Sequence, residues 1–217
     1  MSRAIYVKPE HRIRLFRNAL VNETTPKRNR CLVLLLYGLP LRPVEISKIP
    51  TRHFVDENRN VKKQIGDGLL RANLAYNEKA RPIPDLTDEL IAAIEDCLDE
   101  RVRLGWGLIG GDLDMDVPFF LKDKNNGFKV NKKIVGGKAT YTAKGLLHLI
   151  TQLHKENEIE GNSSSALRTW TLDQRADGKA LDWLWMMRGD TRLQTVVDIC
   201  KRHPFKHAKL IEKFVEK

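Results

Sequence analysis

An unbroken apolar run from Cys31 to Tyr37 ends abruptly at Gly38, Leu39 and Pro40, and a cation and a carboxylate, Arg42 and Glu45, follow at once. A helix that is apolar over so broad a face belongs at the centre of a core. Its start is marked by Thr25 as a cap with Pro26 at the first helical position, and its stop by the glycine-proline break. The charged pair therefore stands at the end of a rigid, buried element. Two readings of that position stay open on local pattern: an ion pair capping a helix end, or charge presented at a phosphate-binding surface.

The rest of the chain supports a core of useful size. Its 217 residues, 41% hydrophobic and 30% charged, suit one large domain, and we expect residues 1–217 to form it. No segment approaches the roughly 18 consecutive apolar residues of a membrane span, so no membrane partner is expected. The first residues lack an apolar stretch of signal-peptide length, which places the expected location in the cytoplasm. Lys and Arg outnumber Asp and Glu by 38 to 28, for a formal charge of +10. Such a balance favours an anionic partner such as nucleic acid.

Metal and thiol chemistry find little support. Cys31, Cys97 and Cys200 are odd in number and far apart, fitting neither a zinc site nor a disulfide framework, and read as reduced thiols. Asp112, Asp114 and Asp116 alternate in a loop but lack the glycine and distal glutamate of a calcium site. His148 and His154, on one helix, suit no common metal pair. No metal and no cofactor is expected.

Periodicity predicts a mainly α chain with a small antiparallel β-sheet, an α+β arrangement. Helices are expected over Pro9–Glu23, with Ile13, Phe16, Ala19 and Leu20 as the apolar face, from Pro26 to the break, and over Pro43 to Ile49. A small sheet region follows between Phe54 and Pro84. Thr87 then caps a helix carrying Leu90, Ile91, Ile94, Cys97, Leu98 and Val102 on one side. The segment from Phe128 to Lys144 reads as a basic loop holding Lys129, Lys132, Lys133, Lys138 and Lys144. A phosphate-contacting loop and a solvated lysine loop describe it equally well. Helices follow at Lys144–Asn157, Ser165–Asp177, Ala180–Arg188 and Leu193–Arg202, then a basic end from Pro204 to Lys217. Trp170, Trp183 and Trp185 are most simply core anchors.

This order of elements, with the residues at its joints, resembles the catalytic domain of the tyrosine recombinases, the phage integrase family. Leu34 to Ile49, with Arg42 and Glu45, looks like the family's first box; Thr51 to Asp56 like its entry into a sheet; Lys79 to Pro84 like the close of that sheet. Val117 to Phe120 is similar to the family's Leu-Phe-Pro piece, Ser163 to Trp170 to its second box, and Met186 to Ile199 to its third box and nucleophile region. The likeness runs from Arg30 to Ile199.

The resemblance implies double-stranded DNA as partner, a role in recombination or integration, and a chemistry in which a tyrosine attacks a phosphodiester. Two arginines would clamp the phosphate, and by position these are Arg42 and Arg168, with Glu45 supporting the first. Lys79 is the matched candidate for the leaving-group acid, with Lys62 and Lys63 as alternatives. Three further positions are substituted: Ser165 and Asp190 stand where histidines are expected, and Ile199 where the tyrosine is. The tyrosines are Tyr6, Tyr37, Tyr76 and Tyr141, all upstream of the second box. Strand cleavage is therefore expected to be impaired. The family also implies a separate N-terminal clamp domain, here absent or supplied by a partner, and an exchange of the C-terminal segment 204–217 between protomers.

Three functions remain in play at this stage. One is a DNA-binding accessory or regulatory protein, acting as an oligomer or beside an active recombinase. Another is an active recombinase whose nucleophile is displaced to Cys200 or another tyrosine. The third is an RNA-binding or protein-interaction module.

Overall fold

In a computed structural model of the chain, residues 4–21, 24–124 and 126–202 are described, so the basic segment 204–217 falls outside them. In chain order the helices are α1 (Pro9–Asn18), α2 (Pro26–Gly38), α3 (Pro43–Ile46), α4 (Asp88–Leu104), α5 (Lys144–Glu156), α6 (Ser163–Ala176), α7 (Leu181–Arg188) and α8 (Leu193–Lys201). Between them lie antiparallel pairs: β1 (Leu69–Leu70) with β2 (Arg81–Pro82), β3 (Leu108–Ile109) with β4 (Asp112–Leu113), β5 (Leu121–Asp123) with β6 (Asn126–Gly127), and β7 (Asn131–Val135) with β8 (Lys138–Thr142). None of the described helices is long and apolar enough to cross a membrane.

Helix α2 is the axis of the main core. Every residue from Cys31 to Tyr37 is buried, and the helix packs on α1, α4 and α6. Each such leucine contributes roughly 1.5–3 kcal/mol through removal from water. The expected Thr25 cap is not made. Glu100 on α4 instead accepts from the backbone N–H of Lys27 (3.1 Å) and Arg28 (2.9 Å), 73 and 72 residues away. A carboxylate at a helix N-terminus both satisfies orphan donors and complements the dipole, so the core helix is closed by its neighbour. Thr87 does cap α4, its side chain accepting from the Leu90 N–H, and Gly105 ends that helix at φ +67°.

A second, smaller core joins α6, α7 and α8. Trp170, Leu172, Leu184, Val196 and Cys200 form it, with Trp183 and Ile199 partly buried against them. Trp170 and Trp183 stack at 5.9 Å, as core anchors should, whereas Trp185 is 38% exposed and lies outside the buried core. The face of α1 is corrected in part: Ala19, just past the helix, is buried as expected. Leu15 is its buried residue and Phe16 packs at the edge of the core, while Ile13 and Leu20 are exposed. Arg12, bonded to Asp173 of α6 at 2.6 Å, fixes that rotation.

The β structure is redistributed relative to expectation. Between Phe54 and Pro84 only the β1–β2 pair and a single Val55–Val61 bridge form. The longest strands lie where a basic loop was expected: β7 and β8 make a hairpin closed by Gly136 and Gly137 at φ +56° and +73°. Two consecutive positive φ values are what a tight hairpin turn matched to strand twist requires, and Gly-Gly supplies them without steric cost.

Candidate functional site

Glu45, in the short helix α3, is wholly buried, and every bond to its carboxylate has a structural purpose. Its Oε1 accepts from Arg81 Nη1 (2.8 Å) and the Tyr76 N–H (3.1 Å); its Oε2 accepts from Arg81 Nη2 (2.7 Å) and the Arg42 N–H (2.8 Å). Arg81, itself 4% exposed, also donates to the carbonyls of Pro40 and Met187. One bidentate ion pair thus ties the end of α2, α3, β2 and the end of α7 together. Sequence reasoning gave Arg81 no role. Its signal was the lone arginine between Lys79 and the apolar stretch from Ile83, opposite a glutamate already judged important.

Arg42 is held from three sides. Its backbone bonds to Glu45, its guanidinium lies 3.8 Å from the centre of the Tyr76 ring, and its Nη2 donates to Asp190 Oδ1 at 2.7 Å. Its side chain stays 25% exposed. Asp190 in turn accepts from Arg188 Nε at 2.6 Å, and Arg188, 5% exposed at its side chain, donates to Leu167 O and Thr171 Oγ1. Burial pushes the Arg188 guanidinium below its ordinary pKa, and the Asp190 charge opposes that push. Arg42 makes an ion pair to Asp190, while the Glu45 carboxylate caps the start of α3 by accepting the Arg42 N–H.

The network reaches the backbone turn of α6 that carries Arg168, since Leu167 precedes it. Arg168 itself is half-buried. Ser165, matched to a histidine position, is fully buried: its Oγ accepts from the N–H of Ile5 (3.1 Å) and Asn162 (3.1 Å). The N-terminal segment lies over that stretch of α6, for the Val7 N–H also donates to Thr169. Ser165 is a capping residue closed off by the chain itself. Ile199 lies on α8, partly buried in the second core, beside buried Cys200.

The lysines separate into distinct settings. Lys79 is exposed in the turn after Tyr76. Lys62 is occupied by the Arg52 carbonyl at 3.1 Å, and Lys63 is exposed. Lys48, unremarked in the sequence, lies with its Nζ 4.5 Å from the Tyr141 ring centre, and burial lowers its pKa. Lys132, directly across the hairpin from Tyr141, approaches the same ring at 5.7 Å, while the Tyr141 hydroxyl donates to Glu78. These contacts dock the hairpin beside the Arg42 region. The strand register puts Lys133 on the opposite face from Lys132, with Lys138 across from Val135. Lys129 and Lys144 flank the strands and are exposed.

The remaining candidates resolve simply. Arg59 pairs with Asp112 and Arg52 with Asp116, both on the surface, and no metal-binding group of His, Cys, Asp and Glu exists among the described residues. His148 is exposed, whereas His154 is buried between Ile150 O, 2.7 Å from Nδ1, and Tyr37 Oη, 2.8 Å from Nε2. A carbonyl only accepts, so Nδ1 carries the proton and the tyrosine donates to Nε2. All three cysteines are free thiols.

No family model and no curated protein sequence matches the chain. Solved structures do. XerA recombinase superposes with a TM-score of 0.66 at 16% identity, over 100% of this chain and 66% of that one. The Tn1549 transposon integrase in complex with transposon right end DNA gives 0.61 at 16%, over 100% and 68%. XerH site-specific recombinase bound to palindromic difH substrate gives 0.61 at 13%, over 98% and 53%. The chain thus spans about two thirds of XerA and about half of XerH. At such identities the likeness establishes the fold alone, which is mainly helical with small antiparallel strand pairs and like that of tyrosine-recombinase catalytic domains.

Proposed function

We propose that residues 1–217 act as one catalytic-like domain of a cytoplasmic, double-stranded DNA-binding protein of the tyrosine recombinase and phage integrase family. It serves recombination or integration without cleaving the strand itself, as an oligomer or beside an active recombinase. The observation that carries this reading is Ile199: the position matched to the nucleophile holds a hydrocarbon side chain packed with α6 and α7. Buried Ser165 and paired Asp190 support the same conclusion at the two histidine positions.

DNA affinity survives such losses because most of it comes from cations on phosphates. The +10 charge, the exposed lysines around β7–β8, and the structural likeness to recombinases solved with DNA support that partner. The test is a duplex titration across salt concentration. The reading expects log affinity to fall linearly with log salt; no binding at low salt overturns it.

A second reading has one observation of its own. The Tyr141 hydroxyl donates to the Glu78 carboxylate with Lys48 and Lys132 at its ring, a nucleophile-and-base arrangement. A covalent adduct on a nicked duplex that disappears in Tyr141→Phe would establish it in place of the first.

A further inference from the structure

We propose that Asp190 is a resident substitute for a phosphate, filling the anion seat of Arg42 and setting how strongly that seat accepts a phosphodiester. The inference rests on the DNA-binding reading for its biological meaning, but its chemistry can be tested without DNA.

Arg42 is built as an anion receptor. Its backbone is anchored by Glu45, one face of its guanidinium is covered by Tyr76, and it stands at the N-terminus of α3, a few residues past the buried core helix. A planar guanidinium so held offers its edge to an oxyanion, and a carboxylate and a phosphate present similar oxygen pairs to it. The occupant in this chain is Asp190 at 2.7 Å. Arg42 Nε is buried without a partner, so the edge is only partly used by the carboxylate.

Asp190 is held there from behind. Its side chain is 8% exposed, and its second oxygen is bonded to the buried Arg188, which α6 fixes through Leu167 and Thr171. The αL glycine before it adds to this. Gly189 has φ +64°, and its carbonyl accepts from Asn77 at 2.9 Å and from the Tyr76 hydroxyl at 3.3 Å. Asp190 thus arrives at Arg42 on a segment bonded to the residue that stacks on the same guanidinium. Arg188 is a positioning residue for the carboxylate, whereas Arg42, 25% exposed, is the member a ligand can reach. An incoming phosphate must displace or repel one fixed negative charge, so the seat is weakened but geometrically intact.

The test compares wild type with Asp190→Asn, which keeps shape and removes charge. Duplex affinity is measured across salt, with Asp182→Asn, an exposed acid on α7, as the control for the added net charge. Asp190→Asn should bind duplex roughly tenfold tighter, the size of one charge-assisted contact, with a salt dependence steeper by about one ion. Asp182→Asn should change little, and Arg42→Gln should abolish the gain in the Asp190→Asn background. A gain no larger than that of Asp182→Asn, or one that persists without Arg42, overturns the proposal.

Inorganic phosphate gives a second readout. It should raise the thermal midpoint of Asp190→Asn but not of wild type, and only with Arg42 present. That result alongside no duplex binding would keep the seat and discard the DNA reading; its absence overturns the seat. If Asp190→Asn is poorly folded because Arg188 loses its partner, Arg188→Met with Asp190→Asn removes both buried charges and should show the same Arg42-dependent gains.

Discussion

Glu45 and Arg81 form a bidentate ion pair almost wholly removed from solvent, at 2.8 and 2.7 Å, and through it four separate segments of the chain meet. Removing one partner of such a pair strands the other charge. Glu45→Ala or Arg81→Ala should each cost about 3–5 kcal/mol, and the double Glu45→Met, Arg81→Met variant less than the sum. Urea unfolding of the three proteins reads the difference directly.

Gly189 lies against this pair. A Cβ there would sit 2.6 Å from Arg81 Cδ, and the residue adopts φ +64°. Gly189→Ala should therefore lose more than the roughly 1–2 kcal/mol of left-handed strain alone, because Arg81 is pinned by Glu45 and cannot move aside. Combining it with Arg81→Met should recover part of the excess, as judged by chemical denaturation.

The core helix gives a separate prediction. Glu100→Gln weakens, and Glu100→Ala removes, the acceptor for two N–H groups of α2, so the alanine variant should lose about 0.5–2 kcal/mol and the glutamine variant less. Thr25→Ala should cost less than Glu100→Ala, since the Thr25 side chain makes no cap bond. Thermal unfolding of the variants ranks them.

Buried His154 makes stability depend on pH. Burial lowers its pKa, opposed by its bond to the Ile150 carbonyl, so the folded chain keeps it neutral where the unfolded chain protonates it. The folded state then binds fewer protons, and stability falls as pH drops below about 6.5 towards the folded pKa. His53 is lowered as well, by burial and by Arg71, Arg52 and Lys62, and adds to the same decline. The thermal midpoint of His154→Asn should decline less steeply between about pH 6.5 and 5 than that of wild type.

How far the chain could be read in advance depended on whether the controlling contact was local. The α2 run, the Thr87 cap and the helices from Lys144 onward follow from periodicity and capping residues, and all form close to where they were placed. The Gly136-Gly137 turn is local too, but the run of lysines around it carries the stronger pattern of a solvated basic loop and masks the hairpin. Glu100 capping α2, Asp190 pairing with Arg42, and the N-terminal segment over Ser165 are bonds between residues 72 to 160 positions apart. No periodicity or turn rule encodes them. Asp190 shows the cost: as a sequence position it read only as a substituted histidine, whereas in the fold it is the bonded partner of Arg42.

The central claim, a recombinase fold that holds DNA without cutting it, is tested most directly by incubating the protein with a nicked suicide duplex. Retention is followed on a native gel and covalent attachment on a denaturing one. The account predicts a salt-sensitive shift and no adduct. An adduct, mapped to Tyr141, Cys200 or any other residue, would contradict it.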